Sequence, residues 1–345
     1  MASVFDLQIM DIFSKIMKID FLKYISIFYH ELGFTELYII FILVTIIILD
    51  YVWFYLQNTK KMKKEIFSWI TICFFIIVWI TLMFFKFYKK WKFNYWVDIE
   101  GKGQLKYNIA KLLSPSEYRT ILVLIFSYQF IILIAILMYY KLVFSKKKNF
   151  YEEQYWKISV KILMYFFITY GLVGTVKVCM GRDYYRGMEY VIYNRIDIYY
   201  EKTGDWIIFN PKWVTTPEYQ PWWNFNGLIG NPQSINWSLD QLFNANAFPS
   251  GHMAQMGMVG MGFCFIINPR DKQTINWKKV VPIYLFFFHQ LIMVLSFLIN
   301  GSHWLTDTSF TWMWSIVTIW IANLVVDASL DKIGNKKNTE IQNFK

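Results

Sequence analysis

The sequence predicts an all-α, polytopic transmembrane helix bundle, and three observations carry that reading. Of 345 residues, 56% are hydrophobic and only 17% are charged, too little polar surface for a soluble chain of this size to cover its cores. The apolar residues fall in runs of about 20, the number of helical residues that crosses a bilayer's hydrocarbon layer. Short lysine clusters separate those runs, as they do in multi-pass proteins.

Seven spans follow in order, at roughly 37–57, 66–88, 119–143, 157–178, 252–268, 280–300 and 305–326. Residues 4–29 are apolar at mixed spacing with regular charges, which predicts an amphipathic helix lying in the membrane interface. Residues 1–118 then hold that helix and the first two spans. Residues 119–326 form a membrane core, and residues 327–345 form a basic tail. Asp6, Asp11, Lys15, Lys18 and Asp20 interrupt any signal-peptide core, so no cleaved leader is expected.

Orientation follows from the cations. Lys60, Lys61, Lys63 and Lys64 join the first two spans, and Lys146–Lys148 join the third and fourth. Arg270, Lys272, Lys278 and Lys279 join the fifth and sixth, and Lys332, Lys336 and Lys337 lie in the tail. An up-and-down path puts all four segments on one side, which the positive-inside rule makes the cytoplasm. The loop 89–118, with Lys89, Lys90 and Lys92, runs against that rule. The segment 183–248 is rich in Trp, Tyr, Asn, Gly and Pro and reads as an extracytoplasmic cap at the headgroup level.

The net charge of +11 sits in these membrane-flanking clusters, so no nucleic-acid partner is expected. Cys73, Cys179 and Cys264 are far apart and show neither metal-ligand spacing nor a disulfide framework. No carboxylate cluster suggests Mg²⁺ or Zn²⁺ ligation, and no cofactor is expected.

Three polar sites interrupt the apolar chain on the outward side. His303 and Asp307 lie four apart, so on a helix they share a face. A carboxylate holding one imidazole nitrogen makes the other a better nucleophile or base; alone, the pair is as well explained by a histidine that bonds a neighbour. Pro249-Ser250-Gly251-His252 opens a span. Its free backbone N–H groups make an anion site in which glycine admits close approach. Lys177, Arg182 and Arg186 end the fourth span and supply cations suited to phosphate. Together the sites offer cations, backbone donors, an acid and an activated nucleophile, a full set for phosphoryl transfer.

These residues resemble the type 2 phosphatidic acid phosphatase superfamily, whose signatures are KxxxxxxRP, PSGH and SRxxxxxHxxxD on a six-helix core. The resemblance covers roughly 119–326, and makes 37–57 an added N-terminal span. Phe248-Pro249-Ser250-Gly251-His252 matches the second signature, and His303 to Asp307 matches the third. Gly181-Arg182 through Arg186, followed by Pro221-Trp222-Trp223, is similar to bacterial members with a GRxRxR-like first motif. The resemblance implies a phosphohistidine mechanism on a lipid phosphate. His303 would attack phosphorus, Asp307 would hold its ring, and His252 would serve as acid and then base. Lys177, Arg182, Ser250 and Gly251 would bind phosphate oxygens.

Two departures stand out. Tyr184 and Tyr185 occupy the arginine and proline positions of the first signature, and Phe297 follows Ser296 where the third has arginine. Arg186 is the candidate to restore one charge, and Asn300 to offer a hydrogen bond near Phe297. The other readings are a headgroup phosphotransferase using the same site, or a catalytically weak phospholipid-binding relative.

Overall fold

The computed structural model describes residues 2–33, 35–57, 61–92, 113–147, 150, 154–182, 184, 185, 221–224, 228, 247–265 and 277–343. Among these the regular structure is helical throughout, with no strand. The helices are α1 (Ala2–Lys15), α2 (Asp20–Leu32), α3 (Glu36–Gln57), α4 (Lys61–Lys92), α5 (Pro115–Leu142), α6 (Tyr155–Met180), α7 (Gly251–Met261), α8 (Trp277–Asn300) and α9 (Leu305–Asn343). Short 3₁₀ turns follow α1, α5 and α7.

Six stretches among the described residues are long and apolar enough to cross a membrane: Asp20–Phe54, Glu65–Tyr88, Ser116–Lys146, Tyr155–Met180, Val280–Asn300 and Leu305–Leu330. The expected span over 252–268 is met by a shorter element. Helix α7 stops at Met261 and tightens into a 3₁₀ turn over Gly262–Phe265; residues 266–268 lie outside the described residues. Close packing accompanies the change, because a Cβ on Gly262 would sit 2.8 Å from Ile40 Cδ1.

The single interfacial helix expected over 4–29 is two helices. The segment forms α1, a 3₁₀ turn and α2, and both helices pack on the bundle, α1 against α8 and α9 and α2 against α8 and α5. Part of the polar character that suggested an interface is partnered inside the bundle, while Lys15, Lys18 and Asp20 stay exposed. Asp6 pairs with Arg182, Glu31 with Lys90, Lys23 with Asp20, and Tyr24 with Glu117. Buried charges persist only when paired.

The path alternates between two ends. Helix α5 starts on a capping box, in which Ser114 and Glu117 satisfy each other's backbone N–H and Pro115 sits at the first turn. Its start meets α2 through Tyr24–Glu117, and its far end meets α3 through Tyr140–Asp50. Trp53 of α3 stacks on Phe67 of α4 at that same far end. Lys61, Lys63 and Lys64, and Lys146 and Lys147, therefore gather at the end opposite both histidines. The core runs between, around Ile27, Val44, Ile46, Trp79, Ile125 and Ile162. Phe74, Phe85, Ile131, Phe167, Phe288 and Ile316 point outward and are exposed, as suits helices solvated by lipid tails.

Candidate active site

The site lies where α6 ends and α7 and α9 begin. Helix α6 closes on Gly181, whose φ of 62° is the left-handed cap that glycine adopts without strain. That reversal leaves Lys177 in the last turn and Arg182 just beyond it, both buried. Ser250 caps α7, its hydroxyl accepting from Met253 N at 3.4 Å, while Ser250 N donates to Thr311 Oγ1 at 2.9 Å. The second bond ties the start of α7 to α9. Gly251 is open: a Cβ there would meet nothing within 4 Å. The backbone beside it can be approached closely by a ligand.

His303 sits in the turn between α8 and α9, nearly fully buried. Its Nδ1 is 3.0 Å from the Ala247 carbonyl and 3.5 Å from Asp307 Oδ2. Both neighbours are acceptors, so Nδ1 carries the ring proton and Nε2 keeps its lone pair. His252 Nδ1 lies 3.3 Å from that Nε2, and with a bare acceptor opposite, it is the donor.

Asp307 is held on three sides. Its Oδ2 accepts from Trp304 N at 2.9 Å, and its Oδ1 accepts from Arg182 Nη1 at 2.9 Å. Its carbonyl receives Thr311 Oγ1 at 2.8 Å. Arg182 also donates from Nη1 to Thr306 Oγ1 at 2.7 Å and from Nη2 to Asp6 Oδ2 at 2.8 Å. Its guanidinium lies over the Trp304 ring, 4.4 Å from the centroid. Asp6 further accepts from Thr306 N at 3.2 Å and from the Thr306 hydroxyl. Burial pushes the Asp6 carboxyl above the usual range, and Arg182 and Thr306 pull it partly back.

The structure thus brings together His252, His303, Asp307, Lys177, Arg182, Ser250 and Gly251 at one end of the bundle. Arg186 lies outside the described residues, as does most of the segment 183–248. Arg182 stands behind Asp307, bonded to two carboxylates. Asn300 bonds backbone groups of α2 and of the turn after α8. Its Nδ2 donates to Ser26 O at 3.3 Å and its Oδ1 accepts from Ser302 N at 2.9 Å, which shapes the turn leading into His303.

Ala247, Asp6, His30 and Gly33 escaped the sequence reading. The Ala247 carbonyl is a backbone group that no motif marks. Asp6 is 176 positions from Arg182, and nothing in its local sequence sets it apart from Asp11 on the same helix. His30 of α2 lies 5.4 Å from the His252 ring between centroids, and Gly33 is so close that a Cβ there would touch His252 Cδ2 at 3.0 Å. Phe297 packs under both rings, with centroids 4.8 Å from His252 and 5.4 Å from His303. The aromatic Tyr184 stands edge-on to His303 at 5.8 Å.

Fold and site together define an all-α membrane protein with a carboxylate-backed pair of histidines at one end of its bundle. Residues 206–331 match the PAP2 superfamily, and this stretch, which holds PSGH, His303 and Asp307, belongs to it. Members of that superfamily are generally phosphatases. A Mycoplasma capricolum subsp. capricolum (strain California kid) relative, described as an uncharacterized protein, is 28% identical over 349 residues, covering 92% of this chain and 85% of that one. No solved structure matches the chain.

Proposed function

We propose that this protein hydrolyses a phosphomonoester or diphosphate of a lipid through a phosphohistidine, at the extracytoplasmic face of the cell membrane. The contact between His303 Nε2 and His252 Nδ1 carries the reading, since it pairs a nucleophilic lone pair with a proton donor. In the first step Nε2 attacks phosphorus, forming the P–N bond as the P–O bond to the lipid breaks. His252, protonated on both ring nitrogens when the anionic phosphate is bound, gives its Nδ1 proton to the leaving oxygen and becomes neutral. In the second step His252 takes a proton from water, the hydroxyl oxygen attacks phosphorus, and the P–N bond breaks to free phosphate and His303. A phosphoryl group reaches this geometry by entering between the two rings, with its reacting atoms about 3 Å from each nitrogen.

Lys177, the Ser250 hydroxyl and the Gly251 backbone would hold the phosphoryl oxygens. Arg182, which Asp307 shares with Asp6, acts in this reading through Asp307. The exposed apolar helix faces support entry of an acyl or prenyl chain from the bilayer. The separation of the site from the basic cluster Lys61, Lys63 and Lys64 supports an outward-facing site with the C-terminus in the cytoplasm.

A second reading, a phospholipid-binding relative with weak turnover, is favoured by Phe297 and Tyr184, which stand beside the histidines where the family signatures carry arginine. Replacement of water by an alcohol acceptor would make the same site a phosphotransferase. Phosphate release by purified protein in detergent with EDTA separates these cases, with a lipid-phosphate panel assayed with and without added alcohol. Release by wild type and its loss in His303→Ala and His252→Ala is the expected result. Equal release by all three proteins would refute the mechanism.

A further inference from the structure

Two buried carboxylates, Asp6 and Asp307, share one buried guanidinium, Arg182. They use different nitrogens: Nη2 bonds Asp6 at 2.8 Å, and Nη1 bonds Asp307 at 2.9 Å and Thr306 Oγ1 at 2.7 Å. Asp6 also takes the Thr306 backbone N–H at 3.2 Å. It therefore holds both the guanidinium and the residue that precedes Asp307. The helix that carries Asp6 is anchored separately, by apolar contacts of Leu7, Met10 and Phe13 with Tyr185, Leu298 and Trp304. Those contacts do not involve the carboxylate.

We infer that Asp6 is a positioning residue for the phosphoryl-transfer site, acting through Arg182 to keep Asp307 beside His303. The inference rests on the functional reading given above. Arg182 prefers a bidentate hold on a single carboxylate. Asp6 prevents this by occupying Nη2, so Arg182 meets Asp307 at Oδ1 alone. Oδ2 is thereby left to Trp304 N and to His303 Nδ1, 3.5 Å away. When Asp6 loses its charge, Arg182 turns both nitrogens to Asp307 and draws Oδ2 from the imidazole. The ring then loses part of what orients it, at a cost of roughly tenfold to a hundredfold in rate for a displacement of about 1 Å. Substrate binding, which uses other groups, is unaffected.

The test compares Asp6→Asn, Asp6→Glu and Met10→Ala with wild type in detergent. Met10→Ala loosens the packing of α1 without touching a charge. With dioleoyl phosphatidate as probe, Asp6→Asn should lower kcat tenfold or more with KM within about twofold. Asp6→Glu should recover part of the loss, and Met10→Ala should retain kcat. A second readout does not need turnover. In protein labelled with ¹⁵N in its histidine rings, the His303 signals, assigned by their loss in His303→Ala, should move in Asp6→Asn and stay in place in Met10→Ala. If those signals are unchanged in Asp6→Asn, or if Met10→Ala moves them equally, the inference is wrong. If wild type releases no phosphate while the signals move as expected, the functional reading fails and the coupling stands.

Discussion

His252 Nδ1 and His303 Nε2 face each other at 3.3 Å, although the two residues belong to α7 and to the turn between α8 and α9. The contact assigns different duties to two chemically identical rings. Ala247 and Asp307 fix the proton of His303 on Nδ1, so His303 presents a lone pair and His252 presents a proton. His289, by contrast, pairs with Glu36 at 2.9 Å and is partly exposed.

Asp307→Asn tests that division. The amide keeps the shape but loses the charge that opposes Arg182, and its NH₂ cannot accept from Trp304 N and His303 as the carboxylate does. The expected loss in kcat is about 10²–10⁴-fold, the range seen when the orienting carboxylate of a histidine is neutralised. Stability should also drop by about 1–3 kcal/mol, because Arg182 loses the hydrogen bond and ion pair it makes with Asp307. Phosphate-release kinetics and thermal unfolding read the two effects apart. A variant with wild-type kcat would remove Asp307 from the mechanism.

Restoring the family's arginine by Phe297→Arg should impair the protein. Phe297 is fully buried against Met253, Met256 and Met293 and lies edge-on or tilted to His30, His252 and His303. A guanidinium there would be buried among methionines and imidazoles and would cost roughly several kcal/mol in desolvation. The expected outcome is a lower Tm and less phosphate release than wild type. Higher activity in this variant would mean that the site still accepts the family's clamp.

Much of this arrangement was legible from the sequence. The apolar runs gave all-α spans, and PSGH with HxxxD gave the two histidines and their carboxylate. Those signals are local: a helix repeats every few residues, and a cap or an i, i+4 pair needs only its own neighbours. What escaped is non-local. Asp6 meets Arg182 across most of the chain, and His30 reaches His252 only because α2 packs along α8. Asp6 and Asp11 looked like part of a solvated face because their partners, Arg182 and Tyr185, lie far along the chain. Tertiary pairing, which leaves no periodicity in the sequence, decided their burial. The turn from α7 into 3₁₀ geometry at Gly262 escaped for the same reason, since the tight neighbour is Ile40 of α3.

Two glycines of α7 should respond in opposite ways to alanine. A Cβ on Gly257 would lie 2.0 Å from Tyr165 Oη. Tyr165 bridges the Ala254 carbonyl at 3.1 Å and Ser315 Oγ at 3.0 Å, so Gly257→Ala breaks a buried polar contact as well as overpacking it. A loss of about 2–5 kcal/mol is expected. Gly251→Ala meets no protein atom within 4 Å and should keep the wild-type Tm. Its methyl group instead obstructs the backbone donors at the start of α7, so KM for a phosphate ester should rise severalfold. Equal Tm losses in both variants would contradict the open setting of Gly251.

Asp6 also makes a prediction about pH. Burial is the larger influence on its carboxyl and raises it above the ordinary carboxylate value, with Arg182 and Thr306 opposing. A group whose folded-state pKa is raised binds its proton more readily in the folded chain than in the unfolded one. Its contribution to stability is therefore fully present below the unfolded value and is lost as pH rises through the folded value. Asp6→Asn has no proton to bind. The Tm of wild type minus that of Asp6→Asn should grow as pH falls from 7 towards 4, the other titrating groups cancelling in the difference. Thermal unfolding of both proteins in one detergent across that range measures it. A difference that shrinks with falling pH would mean that Arg182 outweighs burial and that Asp6 stays ionised below the ordinary carboxylate range.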